Sequence, residues 1–74
     1  MAYNYSKLLG RITEKFGCQA AFAKAINTSD AVLSRKLNNK LKLSQDEIEL
    51  WRRVLDIPDT DAFAYFFTQD GQTN

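Results

Sequence analysis

The segment from Ser29 to Lys40 concentrates side chains whose chemistry suits the reading of DNA. Arg35 can donate two hydrogen bonds to the O6 and N7 atoms of a guanine, and Asn38 can pair with an adenine or hold a phosphate. Gln19 lies earlier, at the expected start of another helix, where backbone amides favour a phosphate. The residues predicted to contact DNA are Gln19, Ser29, Ala31, Val32, Ser34, Arg35, Asn38, Asn39 and Lys40, with further phosphate contacts from Lys24, Lys36 and Lys42.

A helix over residues 29–37 would bring most of these side chains to one face. With Leu33 at the centre of the buried side and about 100° of rotation per residue, the opposite side becomes an exposed ridge. Asp30 adds a negative charge at the start of this helix, which suits the helix dipole but repels phosphate. Arg35 is then the one strong base reader. The predicted ridge consists of Ala31, Arg35 and Asn38, bordered by Val32 and Ser34.

Apolar periodicity and helix-end signals predict an all-α fold of four to five short helices. The predicted helices cover about residues 6–16, 19–25 and 29–37, a fourth from the Ser44–Glu47 capping box to Asp56, and a short fifth from Asp59. The residues expected to cap the first and third helices are Ser6 and either Thr28 or Ser29. The residues expected to end helices in a left-handed conformation are Gly17, Asn27, Asn38 and Asn39.

The 74 residues are predicted to form one domain over 1–74, ordered from about 4 to 68, with a flexible tail over 69–74. Residues 1–43 carry a net charge of +6 and residues 44–74 a net charge of −5. This asymmetry predicts a basic working face and an acidic back, unless it is only the clustering of a solvated surface. With no signal peptide and no apolar stretch of about 20 residues, we expect a cytoplasmic protein without membrane contact.

Catalysis is nearly excluded by the residue content. The chain has no histidine, so neither a Ser-His pair nor a histidine metal site can form. Its single cysteine, Cys18, cannot form an internal disulfide and is expected to be a buried filler on the apolar face of the second helix. The sequence also lacks a glycine-rich phosphate loop. We therefore expect no enzyme, no metal and no cofactor.

A longer pattern is formed by Gln19, Ala23, Asn27, Ser29 and Leu33. It resembles the helix-turn-helix of lambda-repressor-like, Cro/repressor-type domains. Shorter matches at residues 5–8, 14–17, 37–40 and 45–48 narrow the resemblance to small phage proteins. Those proteins belong to the lysis–lysogeny switch of temperate phages of Gram-positive bacteria. The departures from the pattern are Asn27 for a glycine, Thr28 for an aliphatic residue and Lys36 for a large apolar residue.

The resemblance implies one of two functions. The first, favoured by the motif and the basic half, is a Cro-like regulator that binds a double-stranded DNA operator in the host cytoplasm, as a dimer on a two-fold site. The second is a modulator or antirepressor that binds the phage repressor protein and has weak DNA binding of its own. Four aromatic residues support it, because they are too dense to all face inward and would leave a surface for a homodimer or another protein. They are Phe63, Tyr65, Phe66 and Phe67.

Overall fold

Five α-helices make up most of residues 3–69, the part of the chain that the computed structural model describes. They are α1 (Ser6–Phe16), α2 (Gln19–Ala25), α3 (Asp30–Leu37), α4 (Gln45–Val54) and α5 (Ala62–Phe66), with a 3₁₀ turn at Asp59–Asp61 before α5. The predicted all-α class is confirmed. Of the tail predicted to be flexible, Gln69 forms an isolated antiparallel bridge with Tyr3, and residues 70–74 lie outside the described residues.

None of the helices between residues 3 and 69 has the length and apolar character needed to cross a membrane.

The core is centred on Trp51, whose side chain is 1% exposed. Its ring lies edge-on to Phe22, at 5.2 Å between ring centroids, and is tilted against Phe66 at 6.5 Å. Aromatic pairs at such distances add to the stabilisation that burial alone provides. Trp51 therefore joins α2, α4 and α5 at one point. The other buried apolar residues are Tyr5, Leu8, Ile12, Ala23, Leu33, Leu37, Leu55 and Ile57.

Three helices end at a residue other than glycine with a left-handed backbone. Asn27, Asn39 and Asp56 follow α2, α3 and α4 with φ angles of 59°, 64° and 54°. In each case the next backbone N–H donates to the carbonyl five residues back, at 2.9, 2.7 and 2.9 Å. These are bonds of a Schellman motif, which satisfies carbonyls that a helix end leaves unpaired. The turns predicted at Asn27 and Asn39 are confirmed, as is Gly17 at the end of α1 with φ 86°. The prediction for Asn38 is wrong, because its φ is −100° and the left-handed turn falls on the next residue.

Side-chain caps start α3 and α4. The hydroxyl of Ser29 accepts a hydrogen bond from the backbone N–H three residues on, at 3.1 Å. Ser44 and Glu47 form the predicted capping box, with bonds of 3.1 and 2.9 Å. The prediction for α1 is wrong, because Ser6 is its first residue and not its cap. Instead the Oδ1 atom of Asn4 accepts from the Ser6 N–H at 2.9 Å, as Asn side chains do two residues before an N–H.

The prediction that Cys18 is buried is also wrong, since its side chain is exposed. Cys18 occupies the position before α2 with an extended backbone, φ −157°. It therefore lies outside the helical rotation that directs Phe22 and Ala23 into the core. Ala25, the last residue of α2, is exposed as well.

Two basic side chains hold α1 against the end of α4. The guanidinium of Arg11 donates to the carbonyl oxygens of Leu55 at 2.8 Å and Asp56 at 3.2 Å. These are carbonyls at a helix end, where internal partners are missing. The ammonium of Lys15 lies 2.5 Å from the carboxylate of Asp56. This hydrogen bond, the Lys15 charge and then the Arg11 charge lower the pKa of Asp56 below its ordinary value of 3.8.

We expect Asp56→Asn to lower the free energy of unfolding at neutral pH, because Asn tolerates the left-handed backbone but loses the charge facing Lys15. A carboxyl whose folded-state pKa is lowered stabilises the fold above its ordinary pKa, and the stabilisation is lost as pH falls through the folded-state value. The difference in free energy of unfolding between the wild type and Asp56→Asn should therefore shrink below about pH 4. Urea unfolding over a pH series measures this difference.

The charge pair is exposed, so the difference should be small and should also decrease in about 1 M salt. A difference that does not depend on pH would show that Asp56 acts through its shape and not through its charge.

Candidate functional site

The structure exposes the face of α3 that the sequence analysis assigns to DNA. Leu33 and Leu37 are buried on the opposite side of this helix. Arg35 is exposed and forms no ion pair with any residue from 3 to 69. Gln19 is half-buried as the first residue of α2. The other residues of the predicted DNA face are Ala31, Asn38, Asn39 and Lys40, which are exposed, and Val32 and Ser34, which are half-buried.

Several polar side chains of this face already have partners within the chain. The hydroxyl of Ser29 caps α3, and the amide of Asn38 donates to the carbonyl of Ser34 at 2.8 Å. Asn39 uses both ends of its amide on one residue: its Oδ1 accepts from the N–H of Tyr3 at 2.9 Å, and its Nδ2 donates to the Tyr3 carbonyl at 2.8 Å. Asn39 therefore fixes the N-terminal segment, a structural role that the sequence did not reveal.

Lys36, expected to contact a phosphate, forms an ion pair with Glu47. Less than a third of either side chain is exposed, so the pair is partly shielded from solvent and ties α3 to the first turn of α4. Four lysines of the basic half form no ion pair with residues 3–69, namely Lys7, Lys24, Lys40 and Lys42. The positive charge still available for a ligand thus lies on these lysines and on Arg35.

The aromatic residues of the C-terminal segment divide between core and surface, as their density predicted. Phe66 is 1% exposed and packs on Trp51, so its assignment to a partner surface is wrong. Tyr65 is half-buried, with the ammonium of Lys7 at 5.1 Å from its ring centroid. Phe63 is 72% exposed and Phe67 38% exposed. These two rings lie 5.6 Å apart and form an apolar patch on the surface.

A groove of about 480 Å³ opens beside Phe67. On one side Tyr3 packs edge-on against Phe67, with 6.2 Å between ring centroids. Leu41 and Leu43, from the connection between α3 and α4, contribute to the lining, as does Ile48 of α4. Tyr5 is a further lining group, and burial raises the pKa of its hydroxyl above the ordinary value. The groove is therefore mainly apolar and suits a binding function.

This groove was not predicted from the sequence. The sequence feature that could have indicated the groove is the pair of leucines in the segment Lys40-Leu41-Lys42-Leu43. This connection between helices is too short for helical periodicity to show which of its sides is apolar. The groove forms only where this connection meets the aromatic N-terminal segment and α5. Within residues 3–69, no group of three or more His, Cys, Asp or Glu side chains lies close enough to hold a metal ion.

The chain matches one protein family and is similar to a solved structure. The model of a family described as "Protein of unknown function (DUF739)" matches residues 1–69. Among solved structures, the chain is similar to the modulator of repression (MOR) of the temperate bacteriophage TP901-1 from Lactococcus lactis, determined in solution. The sequence identity is 46%, the match covers 90% of each chain, and the TM-score is 0.80. No curated protein matches the chain.

We expect Asn39→Gly to lower the free energy of unfolding by about 1–2 kcal/mol, because it removes both hydrogen bonds to Tyr3. Asn27→Gly is the matched control: Asn27 has the same left-handed backbone, and its side chain forms no hydrogen bond with residues 3–69. It should change stability by less than about 0.5 kcal/mol. Thermal unfolding separates the two, at roughly 4–8 °C per kcal/mol for a domain of this size. Equal losses in both variants would contradict a role for the Asn39 amide.

Proposed function

This chain belongs to the family described as "Protein of unknown function (DUF739)", and we propose that it modulates phage repression by binding a repressor protein. The observation that carries the proposal is the similarity to the TP901-1 modulator of repression, which extends over nearly the whole of both chains. In this proposal the chain acts through protein contact in the cytoplasm of the host cell. It has no catalytic activity and needs no cofactor.

The exposed aromatic patch of Phe63 and Phe67 supports a protein partner. Large aromatic side chains are enriched at the centres of protein interfaces, whereas an isolated monomer gains nothing from exposing two of them together. The patch lies on the acidic half of the chain, with Asp61 exposed just before α5. A repressor that binds DNA must carry a basic surface, and an acidic neighbour complements such a surface.

Direct operator binding, as by a Cro-like helix-turn-helix protein, is the second candidate. It is favoured by the exposed Arg35 and by the turn at Asn27 followed by the Ser29 cap, which together resemble the connection of a helix-turn-helix. Against it, the amides of Asn38 and Asn39 are engaged within the chain. A single strong base reader supports less specificity than a dedicated operator surface, so we rank this function second.

The first proposal predicts a stable complex with the repressor of the same phage, measured by isothermal titration calorimetry. Phe63→Ala should weaken it about tenfold or more, because an exposed aromatic anchor at an interface typically contributes over 1 kcal/mol. Leu50→Ala is the matched control, since Leu50 is a 37% exposed apolar residue of α4 outside the groove. It should leave the affinity within about twofold. If the wild-type chain forms no complex with the repressor, the proposal is wrong.

The second candidate predicts that the chain alone shifts an operator fragment in a gel. Arg35→Ala should then reduce the affinity about tenfold, as loss of one bidentate base contact does, whereas Arg53→Ala on α4 should not. Binding should also fall steeply with salt, because each neutralised phosphate releases counterions. If Arg35→Ala binds the operator as well as the wild type, this candidate loses its main base contact.

A further inference from the structure

We propose that the groove beside Phe67 receives an acidic, amphipathic segment of the repressor, with an apolar side chain inside the groove and carboxylates next to Lys40 and Lys42. This inference rests on the proposed function and specifies where and by what chemistry the partner docks. It concerns a surface distinct from the ridge of α3, whose exposed centre is Arg35.

Two apolar side chains of the lining, Leu41 and Phe67, are exposed to solvent. Leu41 is 41% exposed, although it lies next to the half-buried Leu43 and Ile48. Together with Tyr3 and Phe67 they line a volume of about 480 Å³. That volume falls in the range of pockets that take up a small ligand or a few side chains. Burying such a lining against apolar side chains is favourable by roughly 25 cal/mol per Å².

The charge at the groove selects a negative partner. Among the described residues that line it, Lys42 is the only charged one. Lys40, two residues away, is exposed, and neither lysine forms an ion pair with residues 3–69. A carboxylate placed here would meet Lys42 without displacing an existing partner, and the exposed Lys40 adds a second positive charge nearby in the chain. Such complementarity determines which segments dock and in which orientation more than it raises the affinity.

Both sides of the groove are held in place before any partner binds. Asn39 fixes the backbone of Tyr3 through two hydrogen bonds, and the N–H of Asn4 donates to the carbonyl of Thr68 at 2.7 Å. On the other side, Glu47 joins the capping box of α4 and pairs with Lys36. A preformed groove avoids part of the ordering cost of binding, which favours a specific ligand over a chance apolar contact.

The orientation of the partner follows from the two charges around the aromatic patch. Lys42 lines the groove together with Phe67, whereas Phe63, whose ring lies 5.6 Å from that of Phe67 but does not line the groove, follows the exposed Asp61 by two residues. A partner that places carboxylates at the groove and a basic group near Asp61 is therefore favoured over the reverse arrangement.

The test measures the affinity of the full chain for the repressor of the same phage by calorimetry, at low and high salt. Lys42→Glu and Leu41→Ala alter exposed side chains, so both variants should keep the wild-type melting temperature. Each should weaken the complex about tenfold or more, and Lys42→Glu should flatten its salt dependence. The controls are Arg53→Glu and Leu50→Ala, an exposed cation and an exposed leucine outside the groove, which should change the affinity less than about twofold.

The outcomes separate this inference from the function on which it rests. If the wild type binds the repressor and both groove variants bind equally well, the docking site is wrong while the proposed function stands. If the wild type forms no complex with the repressor, the proposed function is wrong, and so is the proposal that a repressor segment binds in the groove. Sedimentation velocity detects the remaining case: if the groove variants dissociate a homodimer and leave repressor binding unchanged, the occupant is a second copy of the chain and the inference is wrong.

Discussion

Trp51 is enclosed between Phe22 and Phe66, and the relative placement of α2, α4 and α5 depends on this contact. A chain of 74 residues has a thin core, so few side chains can reach several helices at once. By drawing Phe66 inward, the Trp51 ring also determines which side of α5 remains outside. The aromatic patch on the surface is therefore a consequence of how the centre of the molecule is packed.

Short helices can surround so small a core only if each one stops abruptly. Asn27, Asn39 and Asp56 provide these stops in left-handed conformations, and two of them also hold a neighbouring element. Asp56 receives Arg11 and Lys15 from α1, while Asn39 holds the backbone of Tyr3. The residue that ends α3 thus also positions the aromatic N-terminal segment, so the helix end and the groove form one structural unit.

The two surfaces differ in how much of their chemistry remains available to a ligand. On α3 the polar groups beside Arg35 are largely engaged within the chain, which weakens the case for base reading. At the groove, by contrast, Lys42 and the exposed parts of Leu41 and Phe67 have no such engagement among residues 3–69. This contrast supports protein docking over operator reading, in agreement with the similarity to a phage modulator of repression.

The sequence by itself predicted the helices, most of their ends and the exposed ridge of α3, because caps, left-handed turns and helical rotation depend on residues within a few positions of one another. Only the tertiary structure decided the rest. Phe63 and Phe66 lie three positions apart, on nearly the same side of a helix, so periodicity could not tell which one packs on Trp51. The partners of Asn39 and Lys36 lie 36 and 11 residues away along the chain. Contacts between such distant residues arise only when the helices meet around a common core.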